Sequence, residues 1–390
     1  MSKSADGSSP FTPFSLEHEL FRDTLRRFIR DEIDPYYRAW CDPAAGGVPR
    51  EIWKKAARLG LVGTLVPEAW GGPGGTQLFS IVHAQEMGRS LAGAWVGGIF
   101  ENDMLTEMLV EFGSREQKDR WFPAILAGDV NQALGLTEAE AGSDVLSLRS
   151  TARKDGGDYR ISGQKVYISN GCNADLFYIL ARTQEDCDGP RHAMTMFLVE
   201  GDAKNFTRQR MDTLGMKAQG VAELFLDDVR VPASAIVGRQ GCGLSDNLRL
   251  LFPPDRALSA ARSFGAMQLA FDLTVAHAKD RKISGRTLIE YQNTQFKLAE
   301  IRADILAGQA FLDSVLNKLD HGTLDDETAS AAKIWFADRA FHTANECLQL
   351  HGGYGYMTDA PISQIFTATR LASIYAGTSE VQKKTMARFF

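Results

Sequence analysis

LGLTEAEAGSDVLSLRSTARKDGGDYRISGQKVYISN, residues 134–170, decides how the rest of the chain is read. It opens at Leu134 with a polar turn, Thr137-Glu138, and continues through the small residues Ala141-Gly142-Ser143 to Asp144. Two short strands follow, separated from what precedes them by the turn signal Asp155-Gly156-Gly157-Asp158. A compact turn of hydroxyls and bare backbone N–H groups suits a flat, heteroatom-rich ring or a phosphate. Tyr167 and Ser169 stand two apart on a strand, so both are expected on one face, an aromatic wall with a hydroxyl beside it. The other reading is a surface hairpin with ordinary turn chemistry, and this stretch alone does not separate the two.

Composition narrows the classes. A chain of 390 residues, 44% of them hydrophobic, can bury a large core divided among two or three domains. Its net charge of -6 leaves no basic footprint for nucleic acid. No apolar run approaches the ~20 residues of a membrane span. The opening MSKSADGSSP has neither an apolar core nor an Arg-rich pattern and reads as part of a disordered tail, 1–14. The closing Ala-Arg-Phe-Phe is no peroxisomal signal. Cys41, Cys172, Cys187, Cys242 and Cys347 are scattered without ligand spacing. They are expected as reduced thiols in a cytoplasmic compartment, and neither they nor the histidines form a metal motif.

Three regimes of periodicity follow one another. Residues 15–131 read as a helical domain. Ser15 caps Leu16–Ile33, which Asp34-Pro35 ends, and Gly60 stops a helix near Glu51–Leu59. The glycine-rich run at 71–75 lacks the Gly-Lys-Ser/Thr of a phosphate loop and reads as a plain turn. Residues 132–240 alternate with a period of two between Gly, Asp and Pro, a β domain of barrel or sandwich size with a polar loop at Thr183–His192. Residues 241–390 return to helices. After Pro253-Pro254, Ala257–Arg281, Tyr291–Leu319 and Glu327–Leu350 form an antiparallel bundle, and Thr378 or Ser379 caps a final helix.

The wording of several segments resembles the acyl-CoA dehydrogenase family. Leu136-Thr137-Glu138, Ala141-Gly142-Ser143-Asp144, Gly163, Lys165, Ile168 and Asn170 stand where its first signature has them, with Tyr167 for the usual Trp and Ser169 for the usual Thr. Leu214–Lys217, Leu226–Pro232, Arg281 with Gly285 and Gln292, Gln349 with Gly352–Tyr356, and Tyr375–Ser379 match further segments in order. The resemblance implies an α+β fold of N-terminal helical domain, middle β-barrel or sandwich domain and C-terminal four-helix bundle. It also implies FAD. Leu134, Leu136, Thr137, Gly142, Ser143, Tyr167, Ile168 and Ser169 would hold the flavin ring and part of the pyrophosphate, and Thr378 and Glu380 its ribityl-phosphate arm. Arg281, Gln292, Gln349, Gly352 and Gly353 would reach the ADP half of a FAD in a neighbouring subunit, implying a dimer or tetramer. Ser284 stands where that segment usually has Phe.

The family reaction removes the proton alpha to a thioester and passes a β-hydride to flavin N5, so it needs a carboxylate base and donors at the thioester oxygen. Most members carry the base where this chain has Ala376, which cannot take a proton. The long-chain and isovaleryl branches place it before an Arg on a helix, and the matching segment here is Phe252-Pro253-Pro254-Asp255-Arg256. Asp255 is thus the expected base, Arg256 a substrate-positioning residue, and Ser143, Ala376 and Gly377 further substrate contacts, Ala376 through its backbone N–H. The competing reading makes Pro254-Asp255 the start of a helix. The expected activity is α,β-dehydrogenation of an acyl-CoA, with an electron-transfer flavoprotein as acceptor. Alternatives are a dehydrogenase or oxidase of carrier-bound acyl groups, or a flavin-binding subunit without a base. Gly93, Gly97 and Gly98 hint at room for a large acyl chain.

Overall fold

The switch from helical to strand periodicity near residue 132 is present in the computed structural model, which describes residues 12–42, 47–91, 99–184 and 193–390. Most of the Thr183–His192 loop, Cys187, Gly93, Gly97, Gly98 and the first eleven residues of the expected tail lie outside the described residues. The chain begins with α1 (Leu16–Phe28), α2 (Tyr37–Trp40), α3 (Arg50–Arg58), α4 (Gln77–Gly88), α5 (Ile99–Phe112) and α6 (Arg115–Leu126). A π-helical turn, Ile29–Ile33, carries α1 on to Asp34. Gly60 (φ +70°) follows α3, and the Leu61 N–H returns to Ala56 O, a left-handed C-terminal cap. At α6, Ser114 and Gln117 bond reciprocally as a capping box.

The strands are β1 (Gln132–Gly135), β2 (Thr151–Asp155), β3 (Asp158–Ile168), β4 (Leu176–Arg182), β5 (Met194–Glu200), β6 (Phe206–Arg210), β7 (Ala222–Pro232) and β8 (Ile236–Val237). They form one sheet in the order β6-β7-β3-β2-β4-β5-β8, with β1 parallel to β4. In β4 and β5, Leu176–Ala181 and Met194–Val199 are buried without alternation. These strands are covered on both faces and form the centre of the core.

The helices then resume: α7 (Arg249–Asp280), a two-residue-deep hairpin of β9 (Lys282–Ile283) and β10 (Arg286–Thr287), α8 (Gln292–Asp320), α9 (Asp326–His351), α10 (Pro361–Leu371) and α11 (Ser379–Met386). By internal contacts, α1, α4, α7 from Pro253 onward and the elements after it form one compact unit. The sheet with α2, α3, α5 and α6 forms another. In the helical unit α4 and α7 cross backbone to backbone. A Cβ at Gly88 would lie 2.2 Å from Arg262 O, and one at Gly265 2.2 Å from Gln85 O, so both positions need glycine. Phe264, Phe311 and Phe336 join α7, α8 and α9. No described helix is long and apolar enough to cross a membrane.

Four expectations change. The helix of Asp255 does not start at the prolines: α7 begins at Arg249, after a π-helical turn at Gly243–Leu248, and runs through Pro253 and Pro254. Both prolines lie beyond the first turn of α7, so each removes an N–H donor and crowds the carbonyl four residues before it. Helix α10, with Pro361 in its first turn, was not marked out by periodicity. Ser169 does not share a strand face with Tyr167, because β3 ends at Ile168 after a break in register. Finally, Cys41, Cys172 and Cys347 are free, but Cys242 is disulfide-bonded, so the reading of every cysteine as a reduced thiol does not hold.

Candidate functional site

In the sheet unit, the turn after β1 is closed by reciprocal backbone bonds between Glu138 and Ala141, 3.1 Å each. The Val166 N–H donates to Thr137 O at 2.9 Å and fastens the turn to β3. Beneath it lies a buried ion pair: Lys165 Nζ is 2.8 Å from Glu138 Oε1 and 3.3 Å from Leu136 O. Glu138 also accepts from Ser150 N at 2.9 Å, Ser150 Oγ and Arg149 N at 2.6 Å. Burial brings the Lys165 ammonium down to about 8 against the pull of Glu138. Burial pushes the Glu138 carboxyl up, but Lys165, Ser150 and Arg149 together hold it below its ordinary value.

This network brings residues 134–143 and 165–169 together. Tyr167 sits at the bulge with φ +60°, and its ring is 66% exposed. A left-handed conformation costs a residue of this size about 1–2 kcal/mol. A ring held outward at that cost suits a stacking wall. Leu134, Leu136, Thr137 and Ser169 are half-buried, and Gly142 and Ser143 are exposed. Ile168 is buried in the core, so only its backbone can face a ligand.

In the helical unit, Asp255, Ser259 and Arg262 fall on one stripe of α7 at i, i+4 and i+7. Asp255 is half-buried. Burial raises its pKa, and the nearby Arg262, Lys333 and Arg256 cations only partly offset this. Arg256 is buried and donates to Asp326 at the start of α9, 2.5 Å, so here it ties two helices. Lys333, buried on α9 and brought down to about 8 by burial, donates to Gly377 O at 2.5 Å. Gln382 Nε2 lies 3.2 Å from both Ala376 O and Gly377 O. Ala376 (φ +53°) and Gly377 (φ +77°) are both left-handed. Thr378 caps α11 by accepting from Val381 N at 3.3 Å. Glu380 bonds its own backbone N–H and the Thr378 side chain, which lowers its pKa. The buried Ser379 Oγ has no hydrogen-bond partner among the described residues.

A second cluster occupies the far end of the same unit. The His277 and His351 rings stack at 4.2 Å and join the last turns of α7 and α9. This sets Arg281 and Gly352-Gly353 on adjoining helix ends. Gln349 is exposed in the last turn of α9, Gln292 opens α8, and Ser284 (φ +49°) turns the β9–β10 hairpin. A Cβ at Gly352 or Gly353 would meet nothing within 4 Å. Gly352 has φ +61° to explain it, whereas nothing in this chain excludes a side chain at Gly353. That fits close approach of a ligand from outside the chain.

Sequence reasoning missed Glu138 and Lys165 as the organisers of the turn, and Ser259, Arg262 and Lys333 around Tyr375-Ala376. The signal for Lys165 and Lys333 was a lysine inside an otherwise core-facing run. The signal for Ser259 and Arg262 was their spacing from Asp255.

Comparison with known proteins gives one answer over nearly the whole chain. Residues 15–129, 133–229 and 246–390 match the acyl-CoA dehydrogenase N-terminal, middle and C-terminal domains. The long-chain specific acyl-CoA dehydrogenase of Rattus norvegicus is 37% identical over 376 residues, 96% of this chain and 86% of that protein. The crystal structure of an acyl-CoA dehydrogenase from Geobacillus kaustophilus superposes with a TM-score of 0.91 at 34% identity, covering 97% of this chain and 98% of that one. A glutaryl-CoA dehydrogenase from Mycobacterium smegmatis, solved in complex with FADH2, gives 0.86 at 27% identity over 96% and 95%. The family uses FAD, and the outward-held Tyr167 in the sheet unit and the open Gly352-Gly353 backbone in the helical unit, each taken by itself, fit that group. The chain therefore belongs to the acyl-CoA dehydrogenase family, flavin-dependent oxidoreductases that act on CH–CH bonds.

Proposed function

We propose that this protein dehydrogenates an acyl-CoA thioester to the 2,3-enoyl-CoA, with Asp255 as the base. The observation that carries the reading is the placement of Asp255. It is a carboxylate with a burial-raised pKa on α7, one turn before a serine whose hydroxyl bonds the residue next to Ala376. A base of raised pKa is better matched to a weakly acidic α-proton than an ordinary aspartate. Asp255 takes that proton, and the Ala376 N–H, with Gly377 beside it, donates to the thioester oxygen as charge develops there. The cations Arg262, Lys333 and Arg256 offset part of the burial penalty on the carboxylate. FAD, when bound, supplies the acceptor for the β-hydride.

Tyr167, with Thr137, Ser143, Ser169 and the backbone of Ile168, holds and orients the ring. Thr378 and Glu380, at the start of α11, lie along its ribityl-phosphate arm. Arg281, Gln292, Gln349, Gly352 and Gly353 form a half-site for a neighbouring subunit's FAD, so the working unit is a homo-oligomer, and the electrons leave to an electron-transfer flavoprotein. A cytoplasmic location belongs to the same reading. The free thiols of Cys41, Cys172 and Cys347 favour it, and the disulfide at Cys242 weighs against it.

The test is an anaerobic absorbance titration of the FAD-loaded protein with short, long and branched acyl-CoAs. Bleaching by one class is expected and names the substrate. A flavin left oxidised by every CoA thioester refutes the reading in favour of carrier-bound substrates or a subunit without its own base.

A further inference from the structure

Beside the proposed thioester donor stands a residue bound to the helix of the proposed base. Tyr375 Oη accepts from Ser259 Oγ at 3.1 Å and from Arg262 at 3.2 Å. The Arg262 guanidinium also lies over the Tyr375 ring, 5.5 Å from its centre, with Lys333 Nζ at 5.6 Å. Ser259 and Arg262 are 2% and 5% exposed, too enclosed for their places to be set by solvent. Both lie on the Asp255 stripe of α7.

The next residue after this clamp is Ala376, whose left-handed φ of +53° is one that an alanine does not adopt unless its surroundings impose it. The carbonyl side of the turn is held by Gln382 and Lys333, and the Ser379 N–H closes it onto Ser373 O at 3.0 Å. On the helix side the hold comes through Tyr375.

We propose that Tyr375, gripped by Ser259 and Arg262, is a positioning residue that sets the Ala376 N–H in register with Asp255. The inference rests on the acyl-thioester reading above and adds to it the part that fixes oxygen donor and base relative to each other. Proton removal and stabilisation of the oxygen must occur on one substrate at one moment. An error of order 1 Å in such a pair costs on the order of 100-fold in rate.

The test uses the FAD-loaded full chain carrying Tyr375→Phe, which keeps the ring and deletes only the hydroxyl, then Arg262→Met, the double variant, and the milder Ser259→Ala. Two quantities are read. One is the rate of anaerobic flavin reduction against the half-saturating concentration of whichever acyl-CoA bleaches the wild type. The other is hydrogen exchange at the Ser379 amide. The expected result is a ~10–100-fold slower reduction in Tyr375→Phe and in Arg262→Met with half-saturation little changed. The double variant should be no slower than the slower single, because both remove one clamp. Ser379 exchange should be roughly 10-fold faster in each, with Ser259→Ala between these and the wild type.

Losses that multiply in the double variant overturn the proposal. So does a weakened half-saturation at unchanged rate, which would make Arg262 a substrate contact, and so does unchanged Ser379 exchange. If no acyl-CoA bleaches the wild type, the functional reading fails by itself, and the Ser379 amide still decides whether the clamp holds the turn.

Discussion

Replacing Lys165 by Met tests whether the buried pair under the turn proposed to face the flavin holds that turn in shape. The methionine keeps most of the length of the lysine stem, so packing in β3 is largely preserved and the change is electrostatic. It leaves the Glu138 carboxylate with the Ser150 and Arg149 donors but no counter-charge, in a position where both partners are almost wholly enclosed. Breaking a buried pair on one side in this way costs about 3–5 kcal/mol. For a unit of this size each kcal/mol moves the midpoint by ~2–4 °C, so Tm falls by roughly 10 °C. Because Leu136 O also loses its Lys165 partner, the turn loosens at the residues expected to meet the flavin. FAD should therefore dissociate before the chain unfolds, visible as a rise in flavin fluorescence below the transition seen by circular dichroism. Melting within ~2 °C of the wild type, with flavin release and unfolding still coincident, would refute the argument, since that is the size of a surface substitution.

The other expectations are more local. Asp255→Asn keeps shape and FAD but removes the proton acceptor, so flavin reduction by a wild-type substrate slows by about 10²–10⁴-fold in stopped flow. In the wild type the same rate falls as pH drops through the raised Asp255 pKa, because only the carboxylate accepts a proton. The residual rate of Asp255→Asn shows no such acid limb. Burial first, then Arg262, holds His83 down to about 3 from its ordinary 6.5. The unfolded chain therefore binds a proton below about 6.5 that the folded chain refuses until about 3, so His83's contribution is full above that window and is lost as pH falls, at ~1.4 kcal/mol per unit. His83→Leu should flatten the acid side of urea midpoints measured between about pH 6.5 and 4.5. Alkylation of the unreduced, unfolded protein should label Cys41, Cys172 and Cys347 but not Cys242, as peptide mass spectrometry will show.

Helices, then strands, then helices could be read from period alone, because amphipathic runs and Gly/Pro/Asp punctuation are local signals. What escaped was set by tertiary contact. Tyr167 departs from strand alternation because β3 slips register against β7 between Lys165 and Ile168, and no composition rule marks that slip. Helix α7 absorbs Pro253 and Pro254, where a propensity rule places a boundary. The residues expected to touch FAD came through resemblance, since singly each glycine, glutamine or hydroxyl has an ordinary explanation. The network that shapes their turn did not, because alternation puts Lys165 on the inner face but nothing local in the sequence names Glu138 as its partner.

Helix α7 also acts as a ruler. Asp255 near its start and Arg281 at its end are separated by 26 positions, which at 1.5 Å per residue puts them ~39 Å apart on one covalent rod. The spacing between the proposed base and the half-site proposed for a neighbouring subunit's cofactor is thus fixed within a single helix. One residue inserted between Arg262 and His277 would turn the Asp255 stripe by about 100° relative to the His277–His351 stack, so this segment should tolerate substitution far better than any change in length.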